Sequence, residues 1–241
     1  RYPGSKALLA NYARGFLEEN MLIGATLYEP YAGGASLSLA LLSEGLISRA
    51  VLNELDPLIY SFWWSVIKEP EALCRKIRNL QVSVETWQKF QKYRICPGIT
   101  GKYDPVTLGM AGLFFNRVNF SGILHAGPIG GMKQTSKYSI GCRFNKGGII
   151  SLIQLIHSEF SNKISVSFED ALTFLSRREE SIMKNPTLVY IDPPYFAQGP
   201  RLYRYYYQQE DHARLSTFLQ KKEYPWLVSY DNHEQIRKIR N

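Results

Sequence analysis

Residues 188–196, LVYIDPPYF, join a run of strand formers to a carboxylate, two prolines and an aromatic ring. A proline pair deletes two backbone donors, so it predicts a rigid turn just after a strand ends. In open α/β sheets, ligands bind at that edge. If Asp192 and the Pro193 carbonyl face one pocket, they offer two acceptors to an exocyclic amino group, and Tyr195 can stack on the heterocycle. The alternative is a rigid turn with a surface carboxylate.

A glycine turn, Gly33-Gly34, lies near the start of the chain, between a short strand-like run and a helical segment. Glycine allows positive φ and a close approach of the backbone to a ligand. An adenosyl or nucleotide group would fit across such a turn. A plain tight turn before a helix is the other interpretation.

Two acids stand at the ends of strand-like runs. Glu54 can accept both hydroxyls of a ribose there. It could equally be a solvated acid or a helix N-terminal charge, because Asp56 and Pro57 follow it. Asp170 has a similar position after a later run, where it could accept from an adenine amino group.

The elements that must position these residues repeat a βαβ pattern. Strand, glycine turn, helix, strand and acid follow one another as in a nucleotide-binding unit. Because the pattern resumes in the second half of the chain, we expect one mainly parallel sheet in an α/β fold. The predicted strands are residues 26–30, 49–54, 163–168, 187–191 and 226–229, and the predicted helices beside them are residues 6–19, 37–46, 57–68, 171–178 and 212–221.

The middle of the chain has a different pattern. Helical segments at 71–80 and 84–94 lead into a glycine-rich stretch at 115–148. We therefore interpret 71–150 as an inserted lobe of helices and ordered loops, between a first part of the main domain at 1–70 and a second part at 151–241. The chain stops soon after a strand and starts without Met, so we expect the sheet to lack its last strands and some N-terminal residues to be missing.

Bulk composition fits a globular protein that binds a polyanion. The 241 residues are 45% hydrophobic and 21% charged, with a net charge of +8. No run approaches the ~18–20 apolar residues of a membrane span, and we expect no signal peptide, because residues 1–4 lead straight into amphipathic sequence. Three cysteines and four scattered histidines have no metal-binding or disulfide spacing. We expect no metal and a cytoplasmic location.

Three motifs together resemble the S-adenosylmethionine-dependent N6-adenine DNA methyltransferases of the DNA adenine methylase type. Residues 192–195, DPPY, are similar to that family's catalytic tetrapeptide; residues 29–36, EPYAGGAS, to its cofactor turn; and residues 1–6, RYPGSK, to its N-terminal motif. The order of cofactor turn, recognition insert and DPPY is similar to the α group. The resemblance covers nearly the whole chain. It implies a Rossmann-like methyltransferase fold with an inserted target-recognition lobe, and S-adenosylmethionine as cofactor.

The resemblance also implies roles for individual residues. Ala35 departs from the family pattern by replacing the second glycine of the turn, and we expect Gly34 to compensate. Glu54 is one methylene longer than the Asp that is also common there. The implied catalytic residues are Asp192, Pro193, Tyr195 and Lys6, and the implied cofactor-binding residues are Tyr2, Lys6, Glu29, Tyr31, Gly33, Gly34, Glu54, Asp170 and Asp192.

DNA contacts are expected from the inserted lobe, where residues 116–122, NRVNFSG, resemble a loop of the recognition region. For most basic residues of the lobe, a solvated surface is the alternative. Residues 203–207 and the following Asp211-His212 resemble the segment that closes over the target base, or else form a helix-packing patch. The candidate DNA contacts are Arg117, Asn119, Lys133, Gln134, Lys137, Arg143 and Lys146.

The expected function is methyl transfer to N6 of an adenine extruded from double-stranded DNA. N4-cytosine methylation is the first alternative, although that class more often has Ser where Asp192 stands. RNA adenine is a less favoured substrate, and a dinucleotide-dependent oxidoreductase fits the βαβ pattern but not DPPY. Asp192, Tyr195, Glu54 and Lys6 argue against a catalytically inactive DNA-binding relative. A monomer or weak dimer is expected, and a cognate restriction endonuclease is an open second partner.

Overall fold

The computed structural model describes residues 9–95 and 103–239, which divide into two compact units. Residues 9–55 and 163–239 form the first, here called the sheet unit. Residues 56–95 and 103–162 form the second, here called the helical unit. The helical unit extends beyond both ends of the predicted 71–150 insert.

The sheet unit is built on five parallel strands in the order β3-β2-β1-β4-β5. Both halves of the chain contribute, since Thr26, Leu27 and Tyr28 of β1 pair with the strand that precedes DPPY. This confirms the predicted α/β, Rossmann-like fold with its parallel sheet. The strands are β1 Ala25–Glu29, β2 Ile47–Asn53, β3 Ile164–Ser167, β4 Thr187–Ile191 and β5 Trp226–Val228.

Every residue of β4 is buried, as expected for a central parallel strand covered on both faces. Tyr28 and Val189 share one apolar cluster with Phe174 and Leu215 from two covering helices. The helices of this unit are α1 Ala10–Glu19, α2 Ser36–Ser43, α8 Ala171–Lys184, α9 Gly199–Leu202, α10 Gln209–Leu219 and α11 Glu234–Ile239.

Close packing of two helices forms the core of the helical unit. A Cβ at Gly109 would lie 2.6 Å from the Ser61 carbonyl oxygen, and one at Gly112 would lie 2.6 Å from that of Leu58. Only glycine permits this approach of backbone to backbone. The helices are α3 Pro57–Lys68, α4 Pro70–Asn79, α5 Val84–Arg94, α6 Pro105–Val118 and α7 Lys146–Phe160.

No helix among the described residues has the length and apolar character needed to cross a membrane. Within residues 9–95 and 103–239, His, Cys, Asp and Glu side chains form no group of three or more that could hold a metal ion.

Candidate active site

The carboxyl edge of the sheet carries polar side chains from all five strands. β1 ends in Glu29, Glu54 follows β2, Asp170 follows β3, Asp192 follows β4 and Ser229 follows β5. The strand order reverses between β1 and β4, and in open α/β sheets such a switch point opens a ligand crevice. Glu29 and Asp192 flank this point.

Asp192 is held in place by the end of the neighbouring strand. The Ser229 hydroxyl donates to Asp192 Oδ1 at 2.5 Å and lies 2.9 Å from the Tyr190 hydroxyl. Since Ser229 donates its one proton to the carboxylate, it accepts from Tyr190. Burial and the Asp192 charge raise the pKa of Tyr190, so this donor stays protonated.

The rest of the DPPY corner is held by backbone packing. Pro193 is buried, and Tyr195 is half-buried. The amide of Gly199 donates to the Tyr195 carbonyl at 2.6 Å, which closes the turn at the start of α9. The Tyr195 ring is therefore attached to a fixed backbone beside Asp192.

Glu29 is a buried acid at the switch point, only 3% exposed. Its Oε1 accepts from the Ser38 amide at 2.9 Å and from the Ser38 hydroxyl at 2.5 Å. Burial, with a smaller contribution from the Asp192 charge, raises its pKa to about 7 against the effect of these two bonds. Glu29 therefore joins the first turn of α2 to the end of β1, and its raised pKa lies near neutral pH.

The glycine turn is bonded directly to Glu54. The Gly33 amide donates to Glu54 Oε2 at 2.9 Å, and Leu55 donates its amide to Oε1 at 2.9 Å. Positive φ falls on Gly33, at 49°, and on Ala35, at 46°. The expectation that Gly34 compensates for the missing glycine is therefore wrong, because Ala35 adopts the left-handed conformation itself.

Asn53 links the loops that follow β1 and β3. Its buried side-chain amide donates to the Pro30 carbonyl at 3.1 Å and to the Glu169 carbonyl at 3.0 Å, and its Oδ1 accepts from the Glu169 amide at 3.1 Å. Next to this junction, Asp170 caps α8 through Oδ1, which accepts from the Leu172 and Thr173 amides. Asp170 is exposed, so its carboxylate stands at the edge of the site.

An aromatic cluster joins Tyr31, in the turn after β1, to the segment after DPPY. The hydroxyls of Tyr31 and Tyr207 lie 2.6 Å apart, and burial raises the pKa of Tyr207 to about 12. His212, 1% exposed, packs its ring against Tyr207 and Phe196, and its Nδ1 lies 2.9 Å from the Tyr230 hydroxyl. Burial lowers the pKa of His212 and favours the neutral ring.

The model of the D12 class N6 adenine-specific DNA methyltransferase family matches residues 2–241. The chain belongs to this family. It is therefore an enzyme that methylates adenine in DNA, and the predicted membership of the N6-adenine DNA methyltransferases is confirmed. A search of curated proteins found no match.

Membership of the D12 family implies S-adenosylmethionine as methyl donor and DNA as substrate. The five-stranded parallel sheet agrees with the Rossmann-like fold expected of such an enzyme. Family membership does not assign a role to any one side chain, so the residue roles stay predictions.

Two of the predicted site residues, Tyr2 and Lys6, lie outside the described residues. The others of the catalytic and cofactor sets all belong to the sheet unit, where the strand ends bring them to one edge. They are Asp192, Pro193, Tyr195, Glu29, Tyr31, Gly33, Gly34, Glu54 and Asp170.

The structure corrects the candidate DNA contact Asn119, which is 0% exposed. Its Oδ1 accepts from the Trp87 indole at 2.8 Å, and its Nδ2 donates to the carbonyls of Ile123 and Leu124, each at 2.9 Å. Both side-chain N–H donors of Asn119 are therefore used, and its burial keeps the oxygen away from a base edge. Gln134 is likewise used inside its own loop, where it bonds Ile129, Gly131 and Ile140.

The charged candidates of the helical unit keep some surface. Lys133, Lys137 and Arg143 are exposed, and Arg117 and Lys146 are half-buried. Lys146 donates to the Arg78 carbonyl at 2.9 Å.

Sequence reasoning missed the residues that position the site. Ser229 directly follows β5 and Asn53 ends β2, and this position at a strand end was the signal available in the sequence. Tyr203 is a further residue at this edge of the sheet. Its pKa is raised by burial and then by the nearby charges of Asp192, Tyr195 and Glu54. Its hydroxyl therefore lies near the DPPY corner.

Proposed function

We propose that this D12-class enzyme binds S-adenosylmethionine at the carboxyl edge of its sheet and methylates N6 of an adenine extruded from duplex DNA. The observation that carries the proposal is the Asp192 carboxylate, held by Ser229 at the switch point between β1 and β4.

The donors and acceptors at this edge fit the cofactor. Glu54 follows β2 and accepts from the Gly33 amide, and an acid there suits the two hydroxyls of a ribose. Asp170 would accept from the adenine amino group of the cofactor. Glu29, Tyr31, Gly33 and Gly34 line the turn between them, and the acids at this edge favour a cationic sulfonium.

When bound, S-adenosylmethionine supplies an electrophilic methyl group. The chain's own residues act on the amine, which is a poor nucleophile because its lone pair is delocalised into the ring. Asp192 and the Pro193 carbonyl would accept hydrogen bonds from the two N–H groups of this amine and so favour a tetrahedral nitrogen. Holding nitrogen and methyl in line supplies much of the rate, and no covalent enzyme intermediate is needed.

The target adenine has to leave the duplex to reach this corner. Tyr195 would stack on the extruded base, since its backbone is fixed by Gly199 and its ring is half-buried beside Asp192. Contacts to the surrounding DNA would come from the helical unit, whose candidates are Arg117, Lys133, Lys137, Arg143 and Lys146. We propose Tyr2 and Lys6 as further residues near the cofactor and the catalytic pocket.

The test is methyl transfer from labelled S-adenosylmethionine to DNA, followed by digestion to nucleosides. We expect the label in N6-methyladenine. Asp192→Ala should lower the rate by at least about a hundredfold, as for loss of one transition-state contact, while cofactor binding by calorimetry largely survives.

Glu180→Gln is the matched control, because it removes an acid that pairs only with Lys184 on the exposed face of α8. It should leave the rate unchanged. Label in N4-methylcytosine, or full activity in Asp192→Ala, would contradict the proposal.

A further inference from the structure

Arg117 lies in the last turn of α6 and is half-buried. Its Nε is buried without a hydrogen-bond partner among the described residues. A buried donor with no acceptor costs free energy, about 1–3 kcal/mol and more when the group is charged. Such an orphaned group calls for an explanation, and a missing ligand is one.

A second guanidinium lies next to it. Arg143 Nη2 donates at 2.7 Å to the Asn119 carbonyl, two residues beyond Arg117. Asn119 is itself fixed by Trp87, Ile123 and Leu124, so Arg143 is anchored to a rigid loop. This bond brings Arg143 to the end of the helix that carries Arg117, and burial, then the Arg143 charge, lower the pKa of Arg117.

Neither guanidinium forms an ion pair with any residue of 9–95 or 103–239. Other arginines are paired, for example Arg177 and Arg178 with Glu169. The negative end of α6 offsets a charge in its last turn by about 0.3–1 kcal/mol. That effect explains neither the second guanidinium nor the buried Nε.

We propose that Arg117 and Arg143 form a two-guanidinium site for a phosphodiester of the DNA backbone. A phosphate offers several acceptor oxygens, so one anion can satisfy Nε of Arg117 and the planar fork of Arg143 together. The site rests on the proposed function, which supplies DNA as ligand. Its contacts position the duplex and carry no sequence information.

Salt dependence of binding tests the site. The probe is an alternating dG·dC duplex, which holds no adenine, and its affinity is measured by fluorescence anisotropy over a range of NaCl concentrations. Arg143→Gln should reduce the slope of log K against log salt by about 0.9, the value for one lost phosphate contact. Arg143→Lys should keep most of that slope, because the charge remains.

Arg117→Gln should reduce the slope by a similar amount, and thermal unfolding shows whether the variant is folded. Arg75→Gln is the control, since Arg75 is an exposed arginine of α4 in the same unit. An unchanged slope in folded Arg143→Gln, or an equal change in Arg75→Gln, would overturn the site. So would a loss confined to adenine-containing genomic DNA, because that pattern marks a base contact.

Methyl transfer to genomic DNA at low salt is measured in parallel. If the variants change the slope but the wild type transfers no methyl group, the proposed function is contradicted and the phosphate site is supported. Methyl transfer with unchanged slopes would remove the site alone.

Discussion

Burial sets the ionisation of Glu29, the acid at the end of β1. Its pKa is raised from 4.5 to about 7, whereas the unfolded chain ionises it near the lower value. Between these values the folded state holds more protons than the unfolded state, so its contribution to stability is lost as the pH rises from 4.5 to 7. A carboxylate kept at this position at such a cost is consistent with a role toward a cationic cofactor.

Glu29→Gln should remove this pH dependence, because the amide oxygen can still accept from Ser38 and cannot ionise. We expect the variant to gain stability over the wild type between pH 4.5 and 8, by on the order of 2–3 kcal/mol. Urea unfolding without cofactor at four pH values measures the difference in the free energy of unfolding between variant and wild type. The contributions of other titrating groups are common to both proteins and cancel in this difference. Parallel curves for the two proteins would contradict the burial argument.

At the scale of elements, α10 connects three segments of the candidate site. His212 on this helix contacts Phe196 after DPPY, Tyr207 near the cofactor turn, and Tyr230 after β5. The neutral ring, favoured by burial, suits an apolar cluster of this kind. The order of the segment after DPPY should therefore depend on this one helix.

Tyr230→Phe removes the hydroxyl that lies 2.9 Å from His212 Nδ1. We expect a loss of about 1–3 kcal/mol in the free energy of unfolding and faster hydrogen exchange over residues 196–207. Tyr224→Phe is the matched control, because the buried Tyr224 hydroxyl has no hydrogen-bond partner among the described residues. It should be neutral or stabilising. Equal effects of both changes would argue against His212 as the link.

At the scale of the whole molecule, local signals predicted most of the sheet unit and also α3 of the helical unit. Thr187–Ile191 matched its predicted bounds, because an apolar run ends at a carboxylate and two prolines. The helix Pro57–Lys68 also matched its predicted bounds, because Asp56 caps it and Pro57 stands at its first position. Helix α7 was not predicted, because Gly147 and Gly148 open it and favour a loop by composition.

Contacts between distant parts of the chain were not predictable in the same way. Ser229 bonds Asp192 across 37 residues, and Asn53 bonds Glu169 across 116. Asn119 has a type suited to reading adenine, but its burial depends on Trp87 and on the fold of the whole helical unit. A residue type and a motif therefore identified the chemistry, whereas the fold decided which side chains remain available for it.

The net charge of +8 leads to a prediction for the enzyme as a whole. Proteins that neutralise several phosphates lose DNA affinity steeply with salt, about 10³–10⁵ between 50 and 200 mM for six to ten contacts. The catalytic corner is held by hydrogen bonds among buried or half-buried groups, which salt screens much less. Raising NaCl from 50 to 200 mM should therefore raise KM for DNA at least about tenfold and change kcat less than about twofold. Steady-state methylation of genomic DNA separates the two constants, and a fall in kcat at constant KM would mean that the charge acts on the chemical step rather than on DNA binding.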